Sequence, residues 1–138
     1  MRQLSDMVCN KTPLFLAENA SVEEACRGMN HRKAGSVLVV DDAGKLTGIF
    51  TGRDAVRRVL AAGKNCHTRL AEVMTRNPIT LSPEKTALDA MRIMWDGGFR
   101  HLPLVDRDKV MGVISHGDFQ NEERLQLDEE RQLWEHMR

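Results

Sequence analysis

Two short stretches of this chain place a glycine, a hydroxyl and a carboxylate at three-residue steps. "GIFTGRD" sets out Gly48, Thr51 and Asp54, and "GVISHGD" repeats the spacing with Gly112, Ser115 and Asp118. Two chemistries fit the pattern. In the first, a Ser or Thr followed three residues later by an acid is a variant of the capping box, which satisfies orphan backbone donors at a helix start. In the second, the free N–H groups and positive dipole end of a helix suit a phosphate. The hydroxyl then serves a ribose or phosphate oxygen, the carboxylate accepts from a ribose diol, and the glycine lets a planar base approach the backbone. On these residues alone the capping reading comes first, weakened because Asp is shorter than the usual Glu or Gln. The context of the two triplets bears on the choice.

That context is a repeat. At an offset of 65 residues, the distance from Pro13 to Pro78, Val8 pairs with Val73, Leu16 with Leu81, Ala25 with Ala90, Arg27 with Arg92 and Met29 with Met94. "VVD" at 39–41 falls on "LVD" at 104–106. One residue is lost where "DDAGK" faces "DRDK", and the offset becomes 64, pairing Gly48 with Gly112 and Asp54 with Asp118. The chain therefore divides into repeat one (7–62), a linker "KNCHTR" within 63–70, repeat two (71–122) and a tail (123–138). Each triplet closes the same unit.

Each repeat reads strand, helix, strand, strand, helix. "PLFL" and "PITL" suit brief strands after a proline. "NASVEEACRGM" and "PEKTALDAMRIMW" carry apolar residues at helical steps, with Ser21 and Thr86 near the starts and acids in the first turns. "SVLVVDDAGKLTGIF" and "HLPLVDRDKVMGVI" read as strand pairs around tight turns. "GRDAVRRVLAAG" reads as a helix ended by Gly63. A single repeat would bury little surface, whereas two packed together share a core. The fold class is thus α+β, built on tandem βαββα repeats. The tail, with Leu125, Trp134 and Met137 among many charges, reads as a C-terminal helix whose Trp134 packs against the body or a second chain.

Composition excludes several classes. With 138 residues, 41% of them hydrophobic, the chain can bury a core, and 20 basic residues balance 20 acidic ones. A formal charge of zero and only six aromatics, Phe15, Phe50, Trp95, Phe99, Phe119 and Trp134, argue against nucleic-acid binding. No apolar run reaches the roughly 20 residues of a membrane span, and "MRQLSDMVCN" has no secretory h-region. Cys9, Cys26 and Cys66 lack paired spacing, which points to reduced thiols in the cytoplasm. An intermolecular disulfide at Cys9 or Cys66 is the minor alternative. His31, His67, His101, His116 and His136 stand at no zinc-ligand spacing, so no metal site is expected, and His67 and His136 are assigned no role. "WDGGF" lacks a dinucleotide-turn spacing and reads as a helix end. No Ser/His/Asp or Cys/His constellation emerges, so no catalytic residue is expected.

"VMTRNPITLSPEKTALDAMRIM", "FRHLPLVD", "GVISHGD" and "GSVLVVDDAGKLTGIFTGRD" together resemble the cystathionine-β-synthase (CBS) domain pair, or Bateman module, over nearly the whole chain. The tail resembles that of small stand-alone bacterial members. The resemblance implies a pseudo-two-fold pair that binds adenosyl ligands without catalysis. It places Thr12 and Leu14, or Asn77 and Ile79, against the base, with Val37 and Leu38, or Leu102 and Pro103, as a wall. Asp54 and Asp118 would hold the ribose, and Thr51 and Ser115 ribose or phosphate. Arg53, Arg100, His101 and His116 would bring positive charge, and both pockets are expected to exist. AMP, ADP or ATP, with or without Mg²⁺, is the expected ligand, and no cofactor is required. A homodimer through exposed helix faces and an unidentified protein partner are implied. The alternatives are an NAD(H) or S-adenosylmethionine sensor and a dimerisation or adaptor module with vestigial pockets.

Overall fold

The computed structural model describes residues 2–8 and 12–136, so Cys9 and Met137 lie outside the described residues. The elements run in the order α1 (Leu4–Val8), β1 (Phe15–Leu16), α2 (Val22–Arg32), β2 (Ser36–Val40), β3 (Leu46–Thr51), α3 (Gly52–Asp54, continuing as a π-helix over Ala55–Leu60), α4 (Leu70–Val73), β4 (Thr75–Arg76), α5 (Ala87–Gly97), β5 (His101–Asp106), β6 (Lys109–Ser115) and α6 (Asn121–His136). A single 3-10 turn, His116–Asp118, connects β6 toward α6. No described helix is long and apolar enough to cross a membrane.

Local chemistry accounts for most of these boundaries. Ser21 caps α2 by accepting from the Glu24 N–H, and Thr86 caps α5 through a reciprocal box with Asp89. Gly98 ends α5 in the left-handed conformation. Asp41 holds the β2–β3 turn by accepting from the Ala43 and Lys45 N–H groups. The helix expected over "GRDAVRRVLAAG" forms, but most of it is π-helical. Gly63 follows it with φ of 73°.

The repeats match in three dimensions. In repeat one, β1 pairs parallel to β2 and β2 antiparallel to β3. In repeat two, β5 and β6 form the antiparallel pair, and the "PITL" strand shrinks to a single parallel bridge, Leu81 to Leu104. Val37, Val39 and Phe50 fill one core, and their partners Leu102, Leu104 and Ile114 fill the other, all 0% exposed.

The packing units differ from the sequence repeats in one respect. The short helix at the start of each repeat packs into the core of the other. Leu4, Met7 and Val8 of α1 belong to the core of repeat two, while Leu70, Val73 and Met74 belong to the core of repeat one. Matching backbone bonds seat both helices. Leu4 and Ser5 donate to the Lys85 and Pro83 carbonyls, and Leu70 and Ala71 donate to those of Ala20 and Glu18. β4 then extends the sheet of repeat one by pairing with β3.

This exchange explains Gly48. Its hydrogen faces Met74 and Thr75, and an added Cβ would lie 2.6 Å from the Met74 sulfur and 2.9 Å from the Thr75 carbonyl oxygen. Gly112 faces Val8 in the same way, at 3.0 Å. The close approach these glycines permit is therefore to protein, which corrects the expectation that they admit a planar base. Gly48→Ala is expected to cost about 1–3 kcal/mol, the range for overpacking, read as a lowered urea midpoint with unchanged slope.

The tail forms α6, with Leu127 and Glu123 buried. Arg2 donates to both Glu123 oxygens, at 2.6 and 3.1 Å, tying the start of the chain to this helix. This pairing holds the Glu123 carboxyl below its ordinary range. Trp134 is 65% exposed, so the expectation that it packs against the body is not met. It stands over a surface cleft beside Trp95, whose ring carries the Arg131 guanidinium at 3.7 Å.

Candidate nucleotide site

The N-terminus of α3 opens into a cavity of about 530 Å³ between the repeats, a size typical of small-molecule sites. Repeat one supplies Gly35, Ile49, Thr51, Gly52, Arg53 and Asp54. The other wall comes from Thr75, Pro78 and Ile79 and from the turn after α5, Gly98 to His101. Ile49, Pro78, Ile79 and Phe99 give an apolar slot. Ile79 is 57% exposed although it is a large apolar side chain, so this slot lacks a protein partner.

Thr51 and Asp54 form the full capping box. The Thr51 N–H donates to Asp54 Oδ2 at 3.0 Å, and the Asp54 N–H donates to the Thr51 hydroxyl oxygen at 3.2 Å. Both chemistries read from the triplet thus share one geometry, because the cap holds the carboxylate at the cavity wall. The second Asp54 oxygen has a 3.5 Å contact with Arg58 Nε, long for a hydrogen bond. Arg58 itself donates to the Met74 carbonyl at 3.1 Å, so it belongs to the α3–α4 packing. Arg53 reaches across the cavity to the Gly98 carbonyl at 3.4 Å.

His101 is half-buried, and Gly35 makes room for it: a Cβ at position 35 would sit 2.7 Å from Nε2. Burial lowers the imidazole's affinity for a proton, against the opposing pull of Asp118 and Asp54, and Arg100 adds to the lowering. Burial thus disfavours the charged imidazolium at His101, which weighs against its expected role as a cation. The positive charge at this cavity comes from Arg53 and Arg100, both exposed.

Of the residues anticipated from the sequence, the structure gathers Thr51, Arg53, Asp54, Ile79, Arg100 and His101 at this cavity. Asn77, beside Pro78, is exposed with φ of 45° and donates to the Thr47 carbonyl. Val37, Leu38, Leu102 and Pro103, expected as walls, are all buried, Val37 and Leu102 within the two cores, and none of the four lines this cavity.

The equivalent corner of repeat two holds Ser115, His116 and Asp118. The Ser115 N–H donates to Asp118 Oδ2 at 2.7 Å, completing a second capping box. The His116 N–H donates to the Arg100 carbonyl, as the Gly52 N–H does to that of Gly35. Thr12 is exposed, and Leu14 packs against Gly28.

The cavity residues not anticipated are Gly35, Ile49, Gly52, Thr75, Pro78, Gly98 and Phe99. The turn signal in "WDGGF" marks Gly98 and Phe99 as a helix end. Only the approach of the repeats places that end opposite Asp54.

Comparison with known proteins agrees with this architecture. The CBS domain model matches residues 4–61 and 70–123. The CBS domain-containing protein CBSCBSPB2 of Arabidopsis thaliana is 39% identical over 102 residues, and those cover 73% of this chain but 19% of that protein. The CBS domain-containing protein YhcV of Bacillus subtilis (strain 168) is 31% identical over 103 residues, covering 75% of this chain and 73% of the relative. Among solved structures, the CBS domain pair of protein MJ0100 in complex with 5′-methylthioadenosine and S-adenosyl-L-methionine has a TM-score of 0.78 at 28% identity, covering 90% of this chain and 98% of that one. The CBS domain protein PAE2072 from Pyrobaculum aerophilum, complexed with AMP, shares the fold with a TM-score of 0.83 at 20% identity, covering 92% and 98% of the two chains. With two matched repeats, paired cores and a cleft between them, the chain belongs to the CBS domain family.

Proposed function

We propose that this chain is a non-catalytic regulatory module that binds an adenosyl ligand, AMP, ADP or ATP, in the cavity between its repeats. The observation that carries this reading is the meeting, in one cleft, of an apolar slot, the Asp54 carboxylate and two cationic side chains. The base would lie between Ile79, Pro78 and Ile49. The ribose diol would donate to Asp54, whose second oxygen has the long 3.5 Å contact with Arg58. Phosphates would meet Arg53 and Arg100, with Mg²⁺ an added neutraliser for the longer nucleotides. The adenosyl ligands named for related structures support the same class.

Signalling follows from Arg53. Its contact with the Gly98 carbonyl joins the repeats across the cavity. A phosphate that draws Arg53 to itself exchanges that link for one through the ligand. The two arrangements then bind ligand unequally, and the ligand shifts their balance by that difference alone. A homodimer and a protein partner would read the shift, with exposed Val56, Leu60 and Trp134 as candidate contact side chains. The thiols Cys26 and Cys66 are unbridged, which suits a cytoplasmic setting.

A second reading, an adaptor with vestigial pockets, is favoured by the complete capping boxes at Thr51–Asp54 and Ser115–Asp118. A thermal-shift series with AMP, ADP, ATP, NADH and S-adenosylmethionine, with and without Mg²⁺, separates the two. Ligand at 100 times its dissociation constant adds about 2.7 kcal/mol, so the sensor reading predicts a dose-dependent rise of several degrees for an adenosyl ligand. A flat response across the panel, from protein shown to carry no bound nucleotide, favours the adaptor.

A further inference from the structure

Away from the cavity, the linker between the repeats gathers three metal-binding side chains. Glu23, Cys66 and His67 each offer one donor atom within 4.8 Å of the other two. The Cys66 thiol donates to Glu23 Oε2 at 3.3 Å. The other Glu23 oxygen pairs with Arg27 at 2.8 Å, which fixes the carboxylate and leaves Oε2 facing the sulfur. The backbone holds this arrangement in place. The Glu23 N–H donates to the Cys66 carbonyl and the Val22 N–H to that of Thr68, both at 2.9 Å. Asn65 closes the turn by accepting the His67 N–H at 2.9 Å. Adjacent residues in an extended strand point apart, whereas this turn brings Cys66 and His67 to one side.

We propose that Glu23, Cys66 and His67 form a three-ligand site for Zn²⁺ that pins the linker to the first turn of α2. A thiolate, an imidazole and a carboxylate are the donor types that Zn²⁺ takes, and three protein ligands leave the fourth position to water. Bonds of about 2.3 Å to sulfur and about 2.0–2.1 Å to nitrogen and oxygen put tetrahedral donors about 3.3–3.6 Å apart. The Cys66–Glu23 separation is already there, and the imidazole needs only a small closing movement. Without an ion, the hydrogen bond to Glu23 raises the affinity of the Cys66 thiol for its proton. Zn²⁺ replaces that proton, releasing one to solvent for each ion bound. Glu23 lies 43 residues before Cys66 and 44 before His67, so this site does not register as a spacing motif.

The test is equilibrium dialysis of the full chain, kept reduced by a phosphine, against Zn²⁺ alone, with a parallel optical titration using Co²⁺. The expected result is one ion per chain, with a sulfur-to-cobalt charge-transfer band that is lost in Cys66→Ser and kept in Cys26→Ser. His67→Ala and Glu23→Gln are each expected to weaken Zn²⁺ binding by more than about 10-fold, since removal of even an outer partner costs that much. Cys66 and His67 are exposed, so these variants should fold as the parent does. No stoichiometric binding, a cobalt spectrum without the sulfur band, or a band that survives Cys66→Ser would overturn the proposal.

Discussion

Removing residues 2–8 is expected to lower the unfolding free energy by about 5–9 kcal/mol, taking about 1.5–3 kcal/mol for each buried apolar side chain. The three side chains are Leu4, Met7 and Val8, respectively 0%, 8% and 7% exposed, and all three lie in the core of repeat two. The deletion also leaves Glu123 buried without Arg2, which adds to the loss. Domains of this size have about 5–15 kcal/mol in total, so a chain lacking residues 2–8 would hold repeat two poorly or not at all. Leu4→Ala is the milder form of the experiment, with an expected cost of about 2–5 kcal/mol. Ser5→Ala, on the exposed side of the same helix, serves as its control. Denaturant unfolding followed by circular dichroism reads all three. A trimmed chain as stable as the full one would mean that α1 does not complete that core in solution.

The second large effect concerns Asp54. Asp54→Asn is expected to weaken adenosyl-ligand binding by about 10–100-fold, the range for losing hydrogen bonds to a charged acceptor. Thermal stability should change little, because the amide oxygen can still accept the Thr51 N–H that Asp54 Oδ2 accepts at 3.0 Å. Asp54→Ala removes the cap as well and should cost about 1 kcal/mol of stability. The pair of variants separates the two chemistries contained in the Thr51–Asp54 spacing. Loss of affinity in the Asn variant with stability kept assigns the carboxylate to ligand. Equal affinity in parent and Asn variant assigns it to the helix cap alone.

The repeat, the helix starts at Ser21 and Thr86, the left-handed end at Gly98 and the hairpin turns are all local matters, and each is readable from a few neighbouring residues. The exchange of α1 and α4 is not local. The repeat offset equates Val8 with Val73, yet nothing in either segment says which of two similar cores it enters. The same blindness affected the glycines, since Gly48 meets Met74 only because the first residues of repeat two turn back onto β3. The cavity follows this pattern. Asp54 and Ile79 each belong to a legible motif, but their meeting depends on how the repeats face one another. His101 is legible as a neighbour of Arg100 and not as a half-buried group whose charged form is disfavoured, because it packs against Gly35 in the other repeat.

The most direct test of the central claim is a titration of isotope-labelled protein with AMP, followed residue by residue through backbone amide shifts. The account predicts saturable shifts concentrated at Gly52–Asp54, Thr75, Ile79 and Phe99–His101, on both walls of one cleft. Shifts confined to other surfaces, or none at saturating nucleotide, would contradict it.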